Sequence, residues 1–98
     1  MAMRCTFSPL AVTDLEEIAD YIARDNPRRA LSFIRELRER CERLVSFPEV
    51  ARLRPEISES IRLVPYGRYV VCYRLQPGEI RIERIVQGGR NLPDLFEH

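Results

Sequence analysis

The sequence contains no lysine and no tryptophan, and its one histidine is the last residue, His98. Arginine supplies all 16 basic residues, which removes lysine as a general base because the guanidinium stays protonated at any working pH. The sequence also lacks a Ser/His/Asp set, a P-loop and a dinucleotide-binding fingerprint. Most catalytic classes are therefore excluded. Cleavage of nucleic acid without a metal would have to use arginines, carboxylates or tyrosines.

The cysteines are few and widely separated. Cys5, Cys41 and Cys72 do not have the spacing of metal ligands. An odd number of cysteines without a secretory signal predicts reduced thiols in a cytoplasmic protein, each packed as a small core residue. No apolar run reaches the length of a membrane-spanning helix. Residues 1–98 are predicted to form one domain without metal or cofactor.

Charge is balanced overall but uneven along the chain. The net charge of +1 argues against a general nucleic-acid-binding protein. Residues 60–92, however, hold six arginines and only two acids, and each of three short predicted strands carries an arginine. A sheet that presents guanidinium groups suits a polyanion or an acidic protein surface, and a solvated outer sheet face is the alternative.

The N-terminal half predicts a strand followed by two helices. Residues 3–7 form the strand, and Ser8-Pro9 is expected to cap and open a helix with one apolar face. Asn26-Pro27 opens a second amphipathic helix, which Phe47-Pro48 ends. The short link between the helices predicts an antiparallel hairpin.

The C-terminal half predicts a loop and three strands. After the loop at residues 48–59 the apolar period changes to two, with turns at Gly67 and Pro77-Gly78. Arg84 has the parity of the buried positions, so either a bulge shifts the register or Arg84 points towards the covered face with a partner. The order β-α-α-β-β-β predicts an α+β fold, with the N-terminal strand and the helical hairpin packed on a small, mostly antiparallel sheet.

An ordered set of short motifs spans nearly the whole chain. They include Ser8-Pro9, Asp14-Leu15, Tyr21-Ile22, Asn26-Pro27, Arg54-Pro55-Glu56, Ile61-Arg62, Gly67-Arg68-Tyr69, Tyr73-Arg74, Arg84-Ile85, Gly88-Gly89-Arg90 and Leu95-Phe96. The set resembles the RelE/ParE superfamily of bacterial toxins from type II toxin–antitoxin modules, and most closely its ParE branch. The resemblance implies a toxin bound in a hetero-oligomer by a cognate antitoxin, which lays a helix and an extended segment along it.

Two activities occur in this superfamily. ParE-like members inhibit DNA gyrase by binding, whereas RelE-like members cleave mRNA on the ribosome. The RelE-like pattern has a tyrosine six residues after its last arginine, and the residue at that position here is Phe96, which has no hydroxyl. This difference favours the gyrase inhibitor and leaves the ribosome-dependent nuclease as the alternative. The catalytic residues of that alternative would be Arg54, Arg62, Arg90, Tyr66 and Tyr69.

The gyrase-inhibitor hypothesis has its own set of site residues. The predicted target-binding residues are Arg62, Arg74, Arg81, Arg84, Arg90, Leu95 and Phe96. Arg90 is the central prediction, because Gly88-Gly89 lets the chain turn and the side chain project from the end of the sheet. Alternatively, Arg90 pairs with Asp94 or Glu97 and only fixes the tail. A degenerate family member that binds its antitoxin without being toxic is a further possibility.

Overall fold

A computed structural model describes residues 3–96. Its elements, in chain order, are β1 (Arg4–Phe7), α1 (Pro9–Ala23), α2 (Pro27–Arg43), β2 (Arg62–Tyr66), β3 (Tyr69–Gln76), β4 (Glu79–Gln87) and a 3-10 helix (Leu92–Phe96) that we call the C-terminal turn. The strands lie in the order β1-β4-β3-β2, and only the β1–β4 pair is parallel. The predicted β-α-α-β-β-β order is confirmed. Neither helix is long and apolar enough to cross a membrane.

The helices begin where the sequence predicts. The Ser8 hydroxyl accepts a hydrogen bond from the Ala11 amide, and the Asn26 side chain accepts one from the Arg29 amide, each at 3.0 Å. A proline follows each cap, where its missing N–H costs nothing. The prediction for the end of α2 is wrong, because the helix ends at Arg43 rather than at Phe47. Residues 44–47 continue as tighter turns whose amides bond three residues back.

Other parts of the chain pack on both faces of the sheet, whereas the sequence pattern predicts packing on one face only. The helices pack on one face, which we call the helix face, and Leu37, Tyr73 and Ile82 are buried there. On the opposite face, Ile57 and Ile61 form a smaller cluster with Cys72. The loop before β2 and the C-terminal turn supply this second cover. Cys72 is buried there, which confirms its prediction as a small core residue.

The edge of β4 is protected by α1. β1 stops at Phe7, so β4 beyond Ile82 would present unpaired backbone groups. The Ser8 hydroxyl donates to the Glu83 carbonyl at 2.7 Å, and an oxygen of the Asp14 carboxylate accepts from the Ile85 amide at 2.9 Å. Two side chains at the start of α1 thus replace the missing neighbouring strand.

The bulge explains the parity of Arg84, and the side chain does not point to the helix face. Cys72 lies opposite Arg84 and Tyr73 lies opposite Ile82, so Glu83 is the extra residue of a β-bulge in β4. The Arg84 guanidinium forms a two-pronged ion pair with Asp14, with N–O distances of 2.8 and 3.0 Å. The bulge therefore re-registers the strand, and Arg84 also has a carboxylate partner.

The buried thiols predict how stability depends on alkaline pH. Burial raises the pKa of Cys41 and of Cys72 from 9.0 to about 12. Above pH 9 the unfolded chain loses these protons while the folded chain keeps them, so the free energy of unfolding must fall as the pH rises. At pH 10 we expect a loss of about 1.4 kcal/mol for each of the two thiols.

Urea unfolding measured from pH 8 to pH 10.5 tests this expectation. The variant Cys41→Ala/Cys72→Ala is less stable at every pH, because it removes buried side chains. Its unfolding free energy should nevertheless fall less steeply above pH 9 than that of the wild type. Equal slopes for the two proteins would contradict the prediction.

Candidate partner-binding site

A groove lies on the sheet face opposite the helices, between the start of α1 and the C-terminal turn. It is lined by Ser8, Pro9, Leu10, Arg74, Arg81, Glu83, Arg84, Leu95 and Phe96. We call it the C-terminal groove. It brings together most of the predicted target-binding residues, which come from β3, β4 and the C-terminal turn. Leu10, with 58% of its surface exposed, adds an apolar wall from α1.

The bulge residue Glu83 organises the charges of the C-terminal groove. Arg74 donates to one oxygen of its carboxylate, and Arg81 donates to the other at 2.7 Å. Two guanidinium groups share one carboxylate, so this pair of strands keeps a net positive charge. Because Glu83 is the residue inserted by the bulge, the irregularity in β4 determines where the two arginines lie.

Arg74 is the most rigidly held side chain of the C-terminal groove. Besides Glu83, its guanidinium donates to the Ser58 hydroxyl at 2.7 Å and to the Glu59 carbonyl at 2.9 Å. The same guanidinium lies over the ring of Phe96, 5.4 Å from its centroid. This cation–π contact fastens the C-terminal turn to the sheet. The loop before β2 and the C-terminal turn are thus joined through one arginine.

Arg84 lines the C-terminal groove but differs from its neighbours. Its side chain is only 16% exposed, and that of its partner Asp14 is 8% exposed. The hydrogen bond to Asp14 raises the pKa of the Arg84 guanidinium, whose charge is already compensated. We therefore infer that Arg84 stabilises the fold. Arg74 and Arg81 remain as the arginines of the groove that can contact a partner.

Arg62 does not reach the C-terminal groove. It lies opposite Tyr73, on the helix face, and its side chain is 13% exposed. Its guanidinium donates to the Ala51 carbonyl at 2.6 Å, and a Glu49 carboxylate oxygen lies 3.9 Å away. The side chain therefore fixes the segment that follows α2.

Arg90 lies in a second groove, between α1 and the end of β4. Glu17, Tyr21 and Tyr69 also line this groove. Arg90 is exposed and has no ion-pair partner within residues 3–96, so Asp94 does not hold it. The other partner considered, Glu97, lies outside the described residues, as does His98.

The residues of the alternative nuclease site are not gathered in one place, although Tyr69 and Arg90 line the same groove. Arg54 is paired with Glu56, while the rings of Tyr66 and Tyr69 lie 5.5 and 5.8 Å from the ring of Phe33, in edge-on contacts. Tyr69 is 7% exposed and packs in the core, which does not favour a catalytic role.

Two of the three arginines of that alternative site, Arg62 and Arg90, lie at different ends of the sheet. Arg62 is level with Ile82, because both oppose Tyr73, and Gln87 is five residues further along β4. Because Glu83 is a bulge residue and Gln87 opposes Tyr69, the two levels are four residues apart on β3, which is about 13 Å along the strand. Arg90 follows Gln87 and lines the second groove. The structure therefore does not gather these side chains around one phosphate. Within residues 3–96 there is also no group of acids, cysteines or histidines that could hold a metal ion.

Sequence reasoning missed two residues of the site. Asp14 enters the sequence analysis only as part of the Asp14-Leu15 motif, but it is the buried partner of Arg84 and of the Ile85 amide. Glu83 carries no local motif, although it connects Arg74 and Arg81. The parity of Arg84 was the available signal, because an arginine on a covered face requires a buried acid somewhere in the fold.

The fold and the groove define a small α+β protein in which a helical hairpin covers one face of the sheet and an arginine-lined groove opens on the other. A family model described as "ParE toxin of type II toxin-antitoxin system, parDE" matches residues 5–92. The chain therefore belongs to the ParE toxin family of type II toxin–antitoxin systems.

The fold has a counterpart among solved structures. One, titled "Chromosomal ParDE TA system from P. aeruginosa", is similar with a TM-score of 0.76 and 24% sequence identity, and the match covers 88% of this chain and 96% of that chain. At this identity the likeness shows a shared fold. No curated protein matches the sequence.

Proposed function

We propose that this ParE-family toxin inhibits DNA gyrase by binding through the C-terminal groove and through Arg90 in the second groove, and that a cognate antitoxin neutralises it in a hetero-oligomer. The observation that carries the proposal is the convergence of Arg74, Arg81, Leu95 and Phe96 in one groove. The three thiols are free, which suits the reducing cytoplasm where gyrase acts.

The chemistry of the C-terminal groove suits binding to a protein surface. Arginine and aromatic residues supply a large share of the energy at protein interfaces, where they act as anchors. Here Arg74 and Phe96 are already in contact and are held by the loop before β2. Such preorganisation lowers the conformational entropy that binding would otherwise cost. Among the described residues that line the groove, the carboxylate beside the paired arginines is that of Glu83, which is ion-paired with both of them, so binding is favoured over catalysis.

Two assays on the purified protein separate gyrase inhibition from the nuclease alternative. The toxin should block supercoiling of relaxed plasmid by gyrase and increase the amount of cleaved DNA, and addition of the antitoxin should reverse both effects. Mapping of mRNA ends after a short induction should show no cuts at fixed codon positions. Growth arrest with unaffected supercoiling would overturn the proposal, and codon-positioned cuts would favour the nuclease.

Charge reversal at Arg81 tests the C-terminal groove itself. Arg81→Glu is expected to weaken gyrase inhibition about tenfold or more, because it places a second acid beside Glu83 and removes an anchor. Arg68→Glu is the matched control, since Arg68 is exposed in the β2–β3 turn, away from the groove. The readout is the toxin concentration that halves supercoiling. Equal loss of inhibition in both variants would indicate general electrostatics rather than a specific groove.

A further inference from the structure

A second surface lies in the segment that joins α2 to the sheet. Phe47 is 70% exposed, Val50 is 62% exposed and Leu53 is 48% exposed. These three side chains fall within seven residues, and we call them the 47–53 patch. Phe47 and Val50 line the same two shallow depressions beside the end of α2. Clustered exposed apolar side chains of this kind mark interaction sites, whereas single ones need no explanation.

The backbone that carries the 47–53 patch is fixed by buried groups. The hydroxyl of Tyr73, a fully buried residue, donates to the Pro48 carbonyl at 2.9 Å, and Arg62 donates to the Ala51 carbonyl at 2.6 Å. Leu53 also forms a β-bridge with Arg62. The chain thus uses two side chains from the sheet to hold a segment whose apolar side chains point outwards. Such a surface is preorganised for a partner rather than left over from a loose loop.

Positive charge borders the 47–53 patch. Arg40 and Arg43, from the last turns of α2, line the depression that contains Phe47 and Val50, and Arg52 follows directly. None of these three arginines has an ion-pair partner within residues 3–96. The acid of this segment, Glu49, has a carboxylate oxygen 3.9 Å from the Arg62 guanidinium. An occupant must therefore bring apolar groups for the centre and negative charge for the rim.

We propose that the 47–53 patch is the docking surface for an acidic, apolar polypeptide segment of the antitoxin. Its apolar side chains would cover Phe47 and Val50, while its carboxylates pair with Arg40, Arg43 and Arg52. A nucleic acid would meet the arginines but leave the aromatic and aliphatic centre uncovered. The choice of the antitoxin as partner rests on the proposed function.

The 47–53 patch and the C-terminal groove lie on opposite faces of the sheet. Tyr73, which holds the segment at Pro48, and Arg74, which lines the groove, are neighbours on β3 and point to opposite sides. An antitoxin segment on the patch therefore does not itself cover the groove, and the remainder of the antitoxin must block gyrase binding there. Antitoxin affinity and gyrase inhibition should then respond to different substitutions.

The test measures by calorimetry how toxin variants bind the purified cognate antitoxin, which is to be sought as the product of a short reading frame beside the toxin gene. Phe47→Ser/Val50→Ser and, separately, Arg43→Glu should each weaken that binding about tenfold or more and leave gyrase inhibition unchanged. Leu31→Ser and Arg35→Glu are matched controls, because both residues are exposed on α2 outside the patch, Leu31 at 72%. Circular dichroism and thermal melting confirm that each variant is folded.

Each possible result of this test either supports or overturns the proposed docking surface. Wild-type affinity in both patch variants would overturn the inference. Loss of gyrase inhibition with unchanged antitoxin affinity would make gyrase the occupant, and a change in self-association alone would make it a second copy of this chain. Both results overturn the proposal. If the wild type fails to inhibit gyrase while the patch variants lose the antitoxin, the proposed function fails and the docking surface stands.

Discussion

Asp14→Ala is expected to lower the free energy of unfolding by about 3–5 kcal/mol, the loss typical when one partner of a buried ion pair is removed. The substitution strands the Arg84 guanidinium, 16% exposed, and leaves the Ile85 amide without its acceptor. It also opens the edge of β4 that α1 protects. For a domain of this size, such a loss lowers the melting temperature by more than about 10 °C.

Thermal and urea unfolding of a small set of variants checks this result. Glu17→Ala is the control, because Glu17 lies about one turn further along α1 and is exposed. This substitution should change the free energy of unfolding by no more than about 0.5 kcal/mol. Asp14→Leu/Arg84→Leu should recover much of the loss, because it removes both buried charges together. Near wild-type stability of Asp14→Ala would show that the ion pair and the edge cap do not stabilise the fold.

Arg90→Ala is expected to abolish growth arrest while antitoxin binding and the melting temperature stay close to those of the wild type. Arg90 is exposed, and no ion pair within residues 3–96 depends on it, so its removal should cost no more than about 0.5 kcal/mol of stability. Its position beside Tyr21, which is 54% exposed, places a cation and an aromatic ring in the same groove. That combination is a frequent anchor at protein interfaces.

Growth after induction should be compared at matched soluble levels of the two proteins. Arg68→Ala serves as the control, since it removes an exposed arginine from a hairpin turn at the same end of the sheet. An equally toxic Arg90→Ala protein would exclude this residue from the functional site. An unfolded variant would show instead that Arg90 stabilises the fold.

Local signals in the sequence predicted the framework of the fold. Ser8 and Asn26 mark both helix starts because capping uses atoms only three residues apart. Gly67 and Gly78 mark the hairpin turns because both have positive φ angles, 58° and 74°, which glycine adopts without strain. Features that depend on neighbours in sequence could therefore be placed without the structure.

The candidate site was harder to predict because its members meet through long-range contacts. Arg62 and Arg74 are both arginines within predicted strands, so the sequence does not distinguish them. The Arg62 side chain lies on the helix face, whereas the Arg74 side chain lines the C-terminal groove. Asp14 and Arg84 are 70 residues apart, so no local pattern links them. The sequence also grouped Arg90 with the other arginines, whereas the structure gives it a separate groove.

The parallel pairing of β1 with β4 has a consequence for how the chain folds. Arg4 lies opposite Glu79, so the first strand has no sheet partner until the last strand has been made. Closing so long a loop costs entropy before any pairing repays it, which slows folding. A nascent chain that stops before β4 lacks the strand that carries Arg81 and Glu83 and the bulge that aligns them. During translation the C-terminal groove can therefore be completed only late, after almost all of the β-sheet has emerged from the ribosome.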